Sequence, residues 1–150
     1  MSVYTQIAMS DPIDLSESRD CLCLASRRAA LAITRAFERE LRPHGIRATQ
    51  YSMLSNLIVR GPMTVGALAE VLGVERTTLT RNLALTEAAG WASVRPGRDA
   101  RERVVSVTPA GRKKIEAAFP AWQAAQKATT ARIGEEAATS LRRLASERLG

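Results

Sequence analysis

Residues 63–111 read MTVGALAEVLGVERTTLTRNLALTEAAGWASVRPGRDARERVVSVTPAG. The stretch begins with apolar residues at helical spacing and continues through a glycine turn into a second segment of helical spacing. It ends in two runs in which apolar and polar residues alternate as they do in strands. Hydroxyls and arginines share one side of the second helix, and the loop between the strand-like runs is rich in arginine. This order is typical of a winged helix-turn-helix, so the stretch predicts a sequence-specific binder of double-stranded DNA.

The composition agrees with a basic, folded protein. A chain of 150 residues with 45% hydrophobic residues is sized for one domain with a real core. Its 22 Lys and Arg against 15 Asp and Glu give a net charge of +7, which favours a polyanionic partner. Aromatic residues make up only 4%, which weakens a single-stranded nucleic-acid hypothesis because such binders stack bases on aromatic rings.

No feature of the sequence predicts a membrane or secreted protein. No apolar run reaches the roughly 18 residues of a membrane span. The N-terminus MSVYTQIAMSDPID lacks the basic and apolar regions of a signal peptide. We therefore expect a cytoplasmic protein without a membrane partner.

The periodicity predicts a mainly α protein in which residues 1–17 form a flexible arm and residues 18–150 form a single domain. Six helices and one two-stranded wing are expected. The first helix, 18–41, has an apolar stripe of Cys21, Ala25, Ala29, Ile33, Phe37 and Leu41. The others are a helix from about 49 to 60, one capped by Thr64, one over about 76–89, strands over 91–95 and 103–108, a long helix from Pro109 to about Ile133, and a last helix through Leu141 and Leu144.

The helix over 76–89 and the wing supply the candidate DNA contacts. The helix side opposite Leu79 and Leu83 could be a solvated face, but the neighbouring wing favours a role in binding. The hairpin carries four arginines, Arg95, Arg98, Arg101 and Arg103, which would repel one another if no anion were bound. We expect Arg98 or Arg101 to enter a minor groove while the other contacts phosphate, and Asp99 to organise the tip by pairing with an arginine. The remaining candidate contacts, on the helix, are Arg76, Thr77, Thr78, Thr80 and Arg81.

The two cysteines, Cys21 and Cys23, have no further cysteine with which to complete a zinc site. Within a helix, positions i and i+2 lie about 200° apart, which disfavours a mutual disulfide. Cys21 falls on the apolar stripe and is expected to be a small buried hydrophobe. Cys23 lies one turn before Arg27, whose guanidinium could favour a reactive thiolate, so Cys23 is either a redox sensor or a structural thiol.

Three short patterns together resemble the MarR family of bacterial transcriptional regulators. They are RTTLTR at 76–81, RDAR at 98–101 and VSVTPAG at 105–111, and the likeness covers about residues 20–148. The resemblance implies a homodimer on a pseudo-palindromic operator. In that arrangement residues of about 48–111 bind DNA, and helices of about 18–43 and 109–148 form the dimer interface.

The resemblance also bears on effectors. Counted back from Gln50 and Tyr51, Cys23 stands where the family's hydroperoxide-sensing branch has its reactive thiol, although that branch has a tyrosine where this chain has Arg27. The family's small-molecule pocket would be lined here by Arg27, Tyr51, Met53 and Trp122, with the arginine suited to an anionic or phenolic ligand. At helical spacing, Trp122 is otherwise expected to be interface core.

We therefore expect a DNA-binding repressor, responsive to a ligand or an oxidant. The alternative is a helical protein-interaction module that uses a winged fold without binding DNA. An enzyme is not expected, because the lone His44 lies at a Pro-His-Gly corner and no catalytic constellation or phosphate loop accompanies it. No cofactor or metal is expected.

Overall fold

The computed structural model describes residues 13–147, which form six α-helices and three short strands. A 3-10 helix, Ser16–Asp20, precedes the first α-helix. The elements are α1 (Leu22–Leu41), α2 (Ala48–Arg60), β1 (Met63–Thr64), α3 (Val65–Leu72), α4 (Arg76–Ala88), β2 (Ala92–Pro96), β3 (Arg103–Val107), α5 (Pro109–Ile133) and α6 (Glu135–Ser146).

The chain divides into two compact units, 1–32 and 33–150. The described part of the first unit contains the 3-10 helix and the start of α1, and all its side chains are exposed. The second unit contains the hydrophobic core, whose fully buried members include Leu41, Leu54, Leu68, Leu79 and Val105. Each of these five comes from a different element, so one core holds the helices and the sheet of this unit together.

The helix-turn-helix forms as the sequence predicts. The Thr64 hydroxyl accepts a hydrogen bond from the Ala67 amide at 3.2 Å and caps α3. Gly73 ends α3 with φ of 62°, a left-handed conformation that favours glycine. Because only two residues separate Gly73 from Arg76, α4 begins directly after a tight turn.

The wing belongs to a three-stranded antiparallel sheet rather than a two-stranded one. Strand β3 lies between β1 and β2, with Val105 opposite both Met63 and Val94. The predicted hairpin is confirmed, but β1 is only two residues long and has no alternation that sequence could reveal. This extra strand ties the start of α3 to the base of the wing.

The start of α5 fastens the wing to the helices. The Thr108 hydroxyl accepts from the Gly111 amide at 3.0 Å and lies 2.6 Å from the Gly90 carbonyl oxygen, to which it donates. The Thr108 amide donates to the Trp91 carbonyl at 3.0 Å. A Cβ at Gly111 would overlap that same carbonyl oxygen. Glycine is therefore required here because backbone of the wing passes directly over the first turn of α5.

Two expectations for the N-terminal segment are wrong. The first α-helix begins at Leu22 rather than near Ser18, and Cys21 precedes it in an extended conformation with ψ of 112°. Cys21 is exposed, so it is not a buried member of an apolar stripe. Residues 1–12 of the expected arm lie outside the described residues.

Candidate nucleic-acid interface

The outward side of α4 is the first part of the candidate interface. The opposite side of this helix faces the core and contributes the buried residues Leu79, Leu83 and Thr86. At about 100° per residue, the side facing away from them is centred on Arg81. All five candidate contacts of this helix are exposed: Arg76, Thr77, Thr78, Thr80 and Arg81.

Two of these side chains have local partners. The Thr80 hydroxyl donates to the Arg76 carbonyl at 2.8 Å, which leaves its oxygen free to accept. The Arg76 guanidinium approaches α3, since a Cβ built on Gly66 would lie 3.7 Å from Arg76 Nη2. The Arg81 side chain has no hydrogen-bond or ion-pair partner among residues 13–147. It is therefore the α4 arginine most available to a ligand.

Leu85 also lies on this outward side and was missed in the sequence analysis. Its side chain is 57% exposed although it belongs to a helix that packs on the core. Its position four residues after Arg81 places the two side chains about 40° apart around the helix. A helical wheel drawn from the sequence would have found it.

The tip of the wing is the second part of the interface. Arg95, Arg98, Arg101 and Arg103 are all exposed there. The loop is closed by a hydrogen bond from the Gly97 amide to the Glu102 carbonyl at 2.8 Å. Two of these arginines lie in the loop and two on the strand ends beside it, and Asp99 and Glu102 offset them only in part, so the tip has a positive potential.

Asp99 organises this tip, but not by the predicted pairing with an arginine side chain. Its carboxylate accepts from the backbone amide of Arg101 at 3.1 Å, and its carbonyl accepts from the Glu102 amide at 2.9 Å. No ion pair joins Asp99 to an arginine in the described part of the chain. An aspartate that binds its own turn in this way leaves the guanidinium groups free.

The other arginines of the interface are likewise not engaged in ion pairs with any residue that the structure describes. Within residues 13–147 the only ion pair joins Arg143 to Glu147 in α6, with 3.8 Å between Nε and Oε1. The arginines of α4 and of the wing are therefore not neutralised by the protein itself. Phosphate groups are anions of the right geometry for such guanidinium groups.

Cys23 and Arg27 are neighbours, as their spacing predicts. The Arg27 Nη2 atom lies 3.6 Å from the Cys23 sulfur, and both cysteines are free and exposed. The thiol is therefore accessible to an oxidant.

A cavity of about 320 Å³ lies among α1, α2, α5 and the helix-turn-helix. Three of the residues named for the effector pocket, Tyr51, Met53 and Trp122, are among its lining. The lining contains no charged side chain, and its polar members are Thr34, Thr49, Tyr51, Ser52 and Asn82.

One wall of the cavity is aromatic. Trp122 is stacked between Tyr51 and Phe119, with ring centroids 5.9 Å and 5.7 Å away. Burial raises the pKa of the Tyr51 hydroxyl above its ordinary value. Trp122 thus packs in an aromatic cluster and lines the cavity at the same time.

Two other kinds of site are absent from residues 13–147. No group of three or more His, Cys, Asp or Glu side chains is placed to hold a metal ion. Among the helices described, none combines the length and the apolar character needed to cross a membrane.

Comparison with known proteins places these features in a family. A model of the MarR family matches residues 44–102, which include the helix-turn-helix and most of the wing. An uncharacterized HTH-type transcriptional regulator of Bacillus subtilis, YwoH, is 36% identical over 89 residues. That match covers 59% of this chain and spans 65% of the length of YwoH, slightly less than two thirds.

Solved structures extend the similarity to nearly the whole chain. The Mycobacterium tuberculosis transcriptional regulator MosR, solved in complex with DNA, is 37% identical with a TM-score of 0.74, covering 83% of this chain and 93% of MosR. Overoxidized AbfR bound to DNA is 26% identical with a TM-score of 0.65, covering 85% of this chain and 95% of AbfR. These relatives favour DNA binding over the alternative of a protein-interaction module.

Proposed function

Because this chain belongs to the MarR family of transcriptional regulators, we propose that it binds a pseudo-palindromic DNA operator as a homodimer and represses transcription there. The observation that carries the proposal is the set of exposed, unneutralised arginines on α4 and at the tip of the wing. The protein acts in the cytoplasm, where its operator is accessible.

Helix α4 and the wing contact different parts of the duplex. Helix α4 enters the major groove, where Arg81 and the threonine hydroxyls contact base edges and phosphates. The wing lies along the backbone beside it, and Arg98 or Arg101 inserts into the minor groove. Asp99 holds the tip in shape through the Arg101 amide and does not face phosphate.

A homodimer follows from the apolar side chains that the helices leave exposed. In the first unit these are Leu22, Leu24 and Leu31 of α1. In the second unit Ile133, Leu141 and Leu144 near the end of the chain are between 39% and 48% exposed. A second copy covering each of these surfaces would remove them from water and fix the spacing of two α4 helices.

A salt titration of duplex binding tests the proposed function. A protein that neutralises several phosphates releases counterions, so its affinity falls steeply as salt rises. We expect a linear loss of log affinity with log salt concentration, measured by fluorescence anisotropy. A flat profile, or no duplex binding at low salt, would support the protein-interaction alternative instead.

We further propose that the cavity beside the helix-turn-helix binds an effector. Its lining includes Val74 of the turn and Leu79 of α4, so a ligand there would act directly on the position of α4. Because the lining lacks charge, a small neutral aromatic molecule fits it better than the anion that Arg27 suggested. Phenol should quench Trp122 fluorescence at a lower concentration than benzoate. The reverse order would contradict the preference for a neutral ligand.

Oxidation of Cys23 is a second proposed input. The contact with Arg27 and the exposure of the thiol support it, as does the likeness to AbfR, whose structure was solved overoxidized. Mild peroxide should release the wild-type protein from DNA and leave Cys23→Ser bound. An equal response of the two proteins would exclude Cys23 as the sensor. Either input changes DNA affinity only as far as it favours a different spacing of the α4 helices.

A further inference from the structure

The outward side of α4 changes in character along its length. Its first half presents threonine hydroxyls and Arg81, whereas its second half presents Ala84, Leu85 and Ala88, all exposed. Leu85 is the one large side chain of that second half. This half therefore offers no hydrogen-bond donor or charge to a groove.

The major groove contains one apolar feature, the C5-methyl group of thymine. A side chain that reads sequence without hydrogen bonds must use that methyl group. Ala84 and Ala88 have only methyl side chains, so they let the second half of α4 approach the bases closely. With α4 in the groove, Leu85 would be the apolar side chain of this half long enough to reach the base edges.

We propose that Leu85 contacts a thymine methyl group in each half of the operator and selects for thymine at that position. The proposal rests on the DNA-binding function and adds one specificity contact to it. Four residues of helix advance about 6 Å, which corresponds to about two base pairs. The selected thymine therefore lies about two base pairs from the base nearest Arg81.

A scan of methyl groups tests the contact. In an operator recovered from a random duplex pool, each thymine in turn is replaced by deoxyuridine in both half-sites, which removes only the methyl group. Loss of one buried methyl corresponds to about fourfold in affinity, so one symmetric pair of replacements should weaken wild-type binding by about tenfold or more. Replacements elsewhere should have smaller effects.

The variant Leu85→Ala assigns the methyl contact to this residue. It should bind the thymine operator about tenfold more weakly and respond no further to deoxyuridine at the sensitive pair. Val59→Ala, a change at an even more exposed apolar residue of α2, should retain the full deoxyuridine response. Thermal melts of both variants confirm folding, which the exposure of the two side chains favours.

The two levels of the proposal fail in different ways. If no duplex is bound at low salt, the DNA-binding function itself is wrong. If an operator is bound but no thymine pair is sensitive, or if Leu85→Ala shows the same sensitivity as the wild type, only the role of Leu85 is wrong.

Discussion

Arg81 and Arg101 are the two side chains on which the DNA contact hypothesis most depends, because one centres the outward side of α4 and the other lies at the tip of the wing. Both are exposed, so replacing them should not disturb the core. Each Arg→Ala change should lower operator affinity by more than tenfold, since a base or phosphate contact is lost in both half-sites.

Fluorescence anisotropy at fixed salt measures these losses. Arg39→Ala is the matched control, because it removes one exposed positive charge from α1 outside the winged part. It should change affinity by less than about threefold, as expected for a remote charge screened by salt. Wild-type affinity in both Arg81→Ala and Arg101→Ala would remove these contacts from the account.

Asp99 offers a way to separate shape from charge in the wing. Asn keeps an oxygen that can accept from the Arg101 amide, whereas Ala does not. Asp99→Asn should therefore retain or improve operator affinity, because it keeps the turn and removes a negative charge near phosphate. Asp99→Ala should weaken binding by about threefold to tenfold, given that a turn hydrogen bond contributes about 1 kcal/mol. Equal loss in both variants would mean that the charge itself is needed.

The junction of the wing with α5 depends on a glycine. Gly111→Ala would place a methyl group against the Trp91 carbonyl, whose carbon would lie 2.9 Å from it. Backbone would have to shift, which should destabilise the fold by about 1–3 kcal/mol. Thermal unfolding followed by circular dichroism measures the effect.

Gly66→Ala is the control for that change. Gly66 also lies in a helix, but the nearest atom to its added Cβ is the flexible end of Arg76 at 3.7 Å. Alanine there should leave the stability unchanged or raise it by up to about 1 kcal/mol. Similar melting temperatures for the two variants would show that the close approach at Gly111 is not a constraint.

Most of the elements were predictable because their signals are local. Thr64, Thr108 and Pro109 mark helix starts by capping chemistry, and Gly73 marks a turn by its backbone freedom. The start of α1 was misplaced, because a period of four through Cys21 continues into residues that fold as a 3-10 helix. Such periodicity cannot show where a helix begins.

The site was predictable only in part. Exposure of the arginines on α4 and in the wing follows from helical and hairpin geometry. Asp99 binds the backbone amide two residues further on, a local turn contact that the expected pairing with an arginine side chain overlooked. Which residues line the cavity depends instead on tertiary distances, which spacing along the chain does not encode. The third strand was missed for the same reason, because β1 exists only through its pairing with β3.

Binding to a two-fold symmetric operator requires two copies of the chain. The double variant Leu141→Glu with Leu144→Glu places charges on the exposed apolar side of α6. Burying these charges in an interface would be costly, so the variant should be monomeric and bind the operator at least a hundredfold more weakly. Sedimentation equilibrium determines the mass.

Val59→Glu is the control for the dimer. Val59 is 82% exposed in α2, outside the proposed interface, so a charge there should leave the protein dimeric. A dimeric double variant of α6 would move the interface elsewhere.

The claim that the outward side of α4 and the wing lie on duplex DNA is tested most directly by selecting bound fragments from a random duplex pool at low salt. The account predicts enrichment of an inverted repeat whose half-sites are spaced by about one helical turn. Recovery of no enriched duplex would contradict it.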